Sequence, residues 1–324
     1  MEYRKLGKTG IDVSVIALGC WPFGGGRTWG DQDDQASIAT VHAALDAGVT
    51  LFDTAPAYER SESVLGEALE GRRQEALIAT KVGGKAPTLE DSCDQSLKNL
   101  RTDVIDLYQI HWPSRKKPLD ETVTELQRLV KKGKVRTVGV CNFGVGDLSD
   151  FLALGDCATD QLSYSLVWRV IEREIKPMCV EKEVGIICYS PLFQGLLTGC
   201  YASPDEVPEG RSRSRLYSSS RLGSGHSDPG VEKEAFTTVD QVRRISKGLG
   251  ESMPAVSLAW VRQQPGVSTM LVGARTPEEI AENARSVELT LSPETVGELT
   301  EASDETKEKL GTNPDMWMSD ARMR

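Results

Sequence analysis

Short apolar runs alternate with longer segments whose apolar residues recur every three or four positions, and this alternation persists through most of the chain. Residues 15–19, 51–53, 77–81, 104–111, 135–140, 158–161, 185–189 and 269–272 are of strand length and largely aliphatic. Between them, 33–48, 64–69, 88–100, 119–131, 146–154 and 172–182 carry helical spacing. In the first of these, Ile38, Val41, Ala44 and Leu45 follow an acidic start at Asp33 and Asp34 and stop at Gly48. Strands separated by one helix each imply right-handed crossovers and a parallel sheet. Eight such units, with no GxGxxG after the first strand, select a closed (β/α)8 TIM barrel over an open doubly wound sheet. Residues 3–14, two short extended runs about Lys8-Thr9-Gly10, read as a hairpin placed to cap the barrel bottom.

Three stretches depart from the rhythm. Residues 20–26 hold Pro22 and three glycines, which exclude regular structure and mark the first strand-to-helix loop. Residues 192–235, with Gly195, Gly199, Pro204, Pro208 and a Ser- and Gly-rich run at 218–225, form a long loop after strand 7. A loop of that length is either functional or a mobile surface insertion. After a final helix at 292–306, residues 307–324 are a tail whose Met316, Trp317 and Met318 dock over the site or against another subunit. A barrel of this kind accommodates all of 1–324 as one domain.

Composition narrows the partners. A formal charge of −10 with no basic tract argues against nucleic acid or an anionic membrane surface, and an anionic cofactor then needs local basic groups. No uninterrupted apolar run reaches the length that spans a bilayer. The seven cysteines are odd in number and lack CxxC spacing, and the N-terminus opens into folded-looking sequence, which together suggest a cytoplasmic protein with reduced thiols.

The chemistry gathers at strand ends. Residues 51–52 deliver Asp53 and, five residues on, Tyr58; 77–80 stop at Lys81; 104–110 stop at His111. In a parallel barrel the strand C-termini form one rim, where reactions take place. A phenol is a weak acid, with a reference pKa of about 10. A neighbouring ammonium favours its phenolate, and a carboxylate keeps that ammonium charged. Depressing Tyr58 by about 3 units takes roughly 4 kcal/mol of differential interaction. A lone buried ammonium is costly, so Asp53 is the expected partner of Lys81. Only three histidines exist, without HxxxH or paired-carboxylate spacing, so no metal centre is expected. A serine nucleophile lacks its GxSxG elbow.

Phe52-Asp53-Thr54-Ala55 with Tyr58, Thr80-Lys81, Gln109-Ile110-His111, Gly139-Val140-Cys141-Asn142-Phe143 and Gly273-Ala274-Arg275-Thr276 occur in an order that resembles the aldo-keto reductase superfamily, from about residue 3 to 306. The resemblance implies reduction of aldehydes or ketones by hydride from a nicotinamide cofactor, with Tyr58 as general acid and Asp53, Lys81 and His111 in support. It implies that Trp21, Asp53, Cys141, Asn142 and Gln161 surround the nicotinamide and that Tyr189 stacks on it. Ser190, Pro191, Leu192, Gln194 and Gly195 would follow the pyrophosphate. Gly273, Arg275, Glu279, Glu282 and Asn283 would take the adenosine end, where a helix opens. Cys141 stands where the family commonly has Ser, and Glu279 where it often has Gln or Arg. A carboxylate there repels a 2′-phosphate, whereas Arg275 attracts one. The balance leans to NADP over NAD. Trp21, Trp29, Tyr58, His111 and Trp112, with Phe143 and Trp168, would line the substrate pocket. Two further readings stay open: an NAD(P)-dependent sugar or alcohol dehydrogenase, and a cofactor-sensing module like the β-subunits of potassium channels, although those lack His at the position of His111. Physiological substrate and oligomeric state are not legible.

Overall fold

Leu6 explains why the barrel has a closed bottom. In this computed structural model, which describes residues 1–83 and 87–324, strands β1 (Tyr3–Lys5) and β2 (Asp12–Ser14) pair antiparallel and push Leu6 into the lower end of the cylinder. There it meets Val13, Ala17, Leu51, Ala79, Leu107, Ala158, Ile187 and Leu271, all buried. The hairpin approaches so closely that a Cβ on Gly7 would lie 2.1 Å from the carbonyl oxygen of Ala158, and its φ is +54°. Only glycine fits there.

The cylinder consists of β3 (Ile16–Gly19), β4 (Leu51–Asp53), β5 (Leu77–Val82), β6 (Ile105–Ile110), β7 (Val135–Cys141), β8 (Thr159–Ser163), β9 (Gly185–Tyr189) and β10 (Val267–Gly273), each parallel to its neighbours, with β10 closing on β3. Around it pack α1 (Gly26–Trp29), α2 (Asp34–Asp46), α3 (Ser61–Ala68), α4 (Leu89–Asn99), α5 (Leu119–Lys131), α6 (Val145–Leu154), α7 (Ile175–Lys182), α8 (Glu232–Leu249), α9 (Met253–Arg262), α10 (Pro277–Arg285), α11 (Pro293–Ala302) and α12 (Asp304–Leu310). The expected strands are all present, shifted by a residue or two at their ends. Helix starts follow their capping residues: the Asp33 carboxylate accepts from Ala36 N at 2.9 Å, and Thr88 Oγ1 accepts from Asp91 N at 3.0 Å.

Three expectations need correction. Residues 20–26 do carry regular structure: Trp21–Gly24 form a turn of 3₁₀ helix, which tolerates Pro22 in its first turn, and α1 starts at Gly26. The long loop ends sooner than residue 235, because α8 begins at Glu232 and buries Ala235, Phe236, Val239, Val242 and Ile245, an ordinary 3/4 spacing. The final helix expected at 292–306 is two helices. Ser303 interrupts them, its hydroxyl donating to Leu299 O and Thr300 O while it accepts from the Arg169 guanidinium at 2.9 Å. No helix among the described residues is long and apolar enough to cross a membrane.

Candidate functional site

Period-two alternation builds the floor. On each strand the residue two past the apolar plug points inward again: Leu51 is followed by Asp53, Ala79 by Lys81, Leu107 by Gln109, Ile187 by Tyr189. Register sets Lys81 against Gln109 and Cys141 against Gln161, so a polar layer lies directly above the apolar one. Lys81 is fully buried; its ammonium donates to Asp53 Oδ1 at 2.6 Å and to Thr54 O at 2.9 Å. The other carboxylate oxygen, Oδ2, accepts from Gln161 Nε2 at 2.8 Å and Gln109 Nε2 at 3.2 Å. Burial presses the Lys81 pKa down, but the Asp53 charge beside it wins and holds it above its ordinary value.

Tyr58 stands over this pair. Its ring centroid lies 4.9 Å from Lys81 Nζ, 5.7 Å from the stacked Trp21 ring and 6.0 Å from the edge-on ring of His111. Asp53, Tyr58, Lys81 and His111 are thus brought together, as expected. The sign of the Tyr58 shift is not as expected. Tyr58 is only half-buried and lines a cavity, but enclosure by protein dominates, and loss of solvent pushes its pKa up to about 12 against the pull of Lys81. The Asp53 charge that stabilises Lys81 also opposes the phenolate. Burial, then Lys81 and Arg322, press His111 down to about 3, so its imidazole is neutral.

The cavity above holds about 900 Å³ and runs from Trp21, Trp29, Tyr58, His111 and Trp112 past Asn142, Gln161 and Tyr189 to the segment Ser190–Gly195 and on to Gly273, Arg275, Glu279, Glu282 and Asn283. Three expected lining residues are elsewhere. Cys141 faces the closed interior, where its thiol meets Gln109 Oε1 at 3.5 Å. Phe143 packs edge-on against Phe151, and Trp168 stacks on Phe193, both in the core. An aromatic residue near a motif in sequence faces the core whenever its strand end turns outward.

The long loop is no loose insertion. Its first part is a turn of 3₁₀ helix, Phe193–Thr198, in which Gln194 and Gly195 take positive φ. Arg215 then donates to the carbonyls of Asn313 and Asp315 at 2.9 and 3.1 Å and pairs with Asp228. This stitches the loop to the C-terminal tail, and Trp317 of that tail lines the cavity. Arg211 and Arg213 also line it, unforeseen in the sequence; the guanidinium of Arg211 lies 5.1 Å from the Trp29 ring centroid, and that of Arg213 donates to Thr28 Oγ1 at 2.9 Å. The signal was three arginines in five residues, 211 to 215, of an acidic chain.

A closed parallel barrel holding a phenol over a buried lysine–carboxylate pair, beside a cavity of about 900 Å³ that runs on to Arg275, has the layout of a barrel oxidoreductase. Residues 15–304 match the model of the Aldo/keto reductase family, and the chain belongs to that family. It is 33% identical over 314 residues to aldo-keto reductase YhdN of Bacillus subtilis, with 91% of each chain covered. It is 31% identical to the NADH-specific methylglyoxal reductase of Escherichia coli, covering 90% of this chain and 95% of that one. Among solved structures, the glycerol dehydrogenase of Gluconobacter oxydans superposes with a TM-score of 0.78 at 31% identity, 96% of both chains covered. An aldo-keto reductase of Klebsiella pneumoniae in complex with NADPH gives 0.74 at 27% identity, covering 94% and 96%.

Proposed function

We propose that this chain reduces aldehydes and ketones to alcohols with NADPH, Tyr58 donating the proton to the carbonyl oxygen. The observation that carries the reading is the phenol of Tyr58 over the Lys81–Asp53 pair, at the end of a trench that ends at Arg275. The residues fit a dinucleotide. Gln194 lines the cavity, and its Oε1 is buried without a partner among the described residues, a polar group in want of a donor. Asn142 uses Nδ2 on His111 O at 3.1 Å and accepts from Tyr189 OH at 2.9 Å, which leaves one N–H and one lone pair for a carboxamide. Arg211 and Arg213 carry charge without a carboxylate partner among the described residues, which suits a pyrophosphate.

When bound, the nicotinamide supplies the hydride; the proton belongs to the chain. With its pKa near 12, Tyr58 keeps its proton at neutral pH until the carbonyl oxygen acquires negative charge. Lys81 then faces the phenolate left behind, and the bonds from Gln109, Gln161 and Thr54 keep the ion pair from drifting. A neutral His111 offers an N–H to the same oxygen without adding a competing cation. Alcohol oxidation by the same groups is the reverse reaction. The NADH alternative rests on Glu279, a carboxylate on the wall of the adenosine end. Seven free thiols, six of them buried, favour work in a reducing cytoplasm. Loss of NADPH absorbance with a panel of aromatic aldehydes tests the reading; turnover by Tyr58→Phe close to that of the parent chain rejects Tyr58 as acid.

A further inference from the structure

Arg275 and Glu279 pull opposite ways at the adenosine end of the trench, and the structure shows what separates them. The Glu279 carboxylate, in the first turn of α10, folds back onto the preceding loop and accepts from the backbone N–H of Arg275 at 2.7 Å. The Arg275 guanidinium makes no contact with that carboxylate and turns to the segment before α2 instead. Its Nε donates to Gln32 Oε1 at 2.7 Å and one Nη to the carbonyl of Asp31. Gln32 answers with Nε2 on Arg275 O at 3.2 Å, and its amide is steadied by Ser37 Oγ at 3.1 Å. Arg60 holds the backbone of the same segment through Gln32 O and is itself paired with Asp34. Both acceptors on the guanidinium are neutral, so its charge is unspent, and its remaining N–H groups are unfilled among the described residues.

We infer that Gln32 is a positioning residue for nucleotide specificity: it holds Arg275 away from Glu279, so that the guanidinium meets a 2′-phosphomonoester on the adenosine ribose. Arginine is long and flexible, and fixing it beforehand removes an ordering cost from phosphate binding. Without Gln32 the side chain falls onto the carboxylate four residues on, which neutralises it. Gln32 stands on the loop before α2, some 240 residues from Arg275, and touches the 2′-phosphate only through it.

The inference rests on the NADPH reading, and tryptophan-fluorescence titration of the whole chain with NADPH and NADH separates the two. Gln32→Ala raises the NADPH Kd about tenfold, the size expected for one charge-assisted contact, and leaves the NADH Kd within about twofold. Adding Glu279→Gln to that variant recovers most of the loss, because Arg275 then has no carboxylate to fall onto. An NADPH preference that survives Gln32→Ala, or equal weakening of both cofactors, overturns the inference and leaves the NADPH reading standing. A parent chain that binds NADH at least as tightly overturns both.

Discussion

The floor and the roof of the cavity are built by different means. In the floor, Asp53 is bonded to Lys81, Gln109 and Gln161 over sequence separations of 28, 56 and 108 residues, yet strand register alone brings all four inward. The roof has no register. Arg213 reaches Thr28, Arg215 reaches the tail, Arg322 pairs with Asp315 and lies 3.4 Å from the Trp112 ring centroid. The first arrangement fixes atoms within a layer that cannot slide without turning side chains outward. The second is a set of separate side-chain contacts between loops, each replaceable without disturbing the barrel. Chemistry should therefore depend on the floor and selectivity on the roof.

The largest expected effect is at the floor. Tyr58→Phe removes the proton donor and lowers kcat/KM about 10²- to 10⁴-fold with little change in Tm. Next, Asp53→Ala leaves the Lys81 ammonium buried and uncompensated, which costs about 3–5 kcal/mol in urea unfolding. Replacing both members, Asp53→Leu with Lys81→Met, removes the charge along with its partner and should unfold at higher urea than Asp53→Ala alone. If the double variant is no better, the pair is not the structural unit its geometry suggests.

A subtler test is pH. His111 is held at about 3 in the folded chain, against an ordinary 6.5. Below 6.5 the unfolded chain takes up a proton that the folded one refuses. Stability therefore falls as pH drops through this window, by up to about 1.4 kcal/mol per unit, and nothing is lost above it. Comparing urea midpoints of the parent chain and His111→Gln from about pH 7.5 to about 5 isolates this contribution. Parallel curves would show that another group governs the acid limb.

The same division explains what was legible beforehand. Asp53, Lys81 and His111 end aliphatic runs, and period two carries each strand's inward face from an apolar residue to a polar one. Cys141 ends its run too and also faces inward, but its short thiol is buried against Gln109 instead of reaching the cavity as Gln161 opposite it does, a difference the alternation does not encode. The direction of the Tyr58 shift was also hidden, because it is a contest between solvent loss and one cation, and the enclosure is made by Trp21 and His111 from other strands. Arg211 and Arg213 were invisible as lining residues for a related reason: they gain their places from partners far away in the chain, with no spacing rule to announce them, whereas the apolar tail did point to Trp317 over the site. By contrast α8 was present in the sequence as a plain 3/4 pattern and was passed over for the Gly- and Ser-rich stretch beside it.

The smallest effect should come from the tail. The bound stretch runs from Asp315, whose carboxylate takes Arg322 through Nε at 2.7 Å and Nη2 at 2.9 Å and the Trp317 N–H at 3.0 Å. Arg322 in turn covers Trp112, and Trp317 receives the Arg213 guanidinium at 5.7 Å from its ring. Two of the aromatic walls, Trp112 and Trp317, are thus steadied by arginines of the roof rather than by the barrel. Such cation–π contacts are worth about 0.5–1 kcal/mol at exposed sites. Arg322→Ala should accordingly raise KM for an aromatic aldehyde about two- to fivefold while kcat stays within about twofold. A small aliphatic aldehyde, which needs no aromatic wall, should be nearly indifferent to the change. If kcat falls instead, the arginine acts on the floor through its charge on His111, and the separation of floor from roof fails at that point.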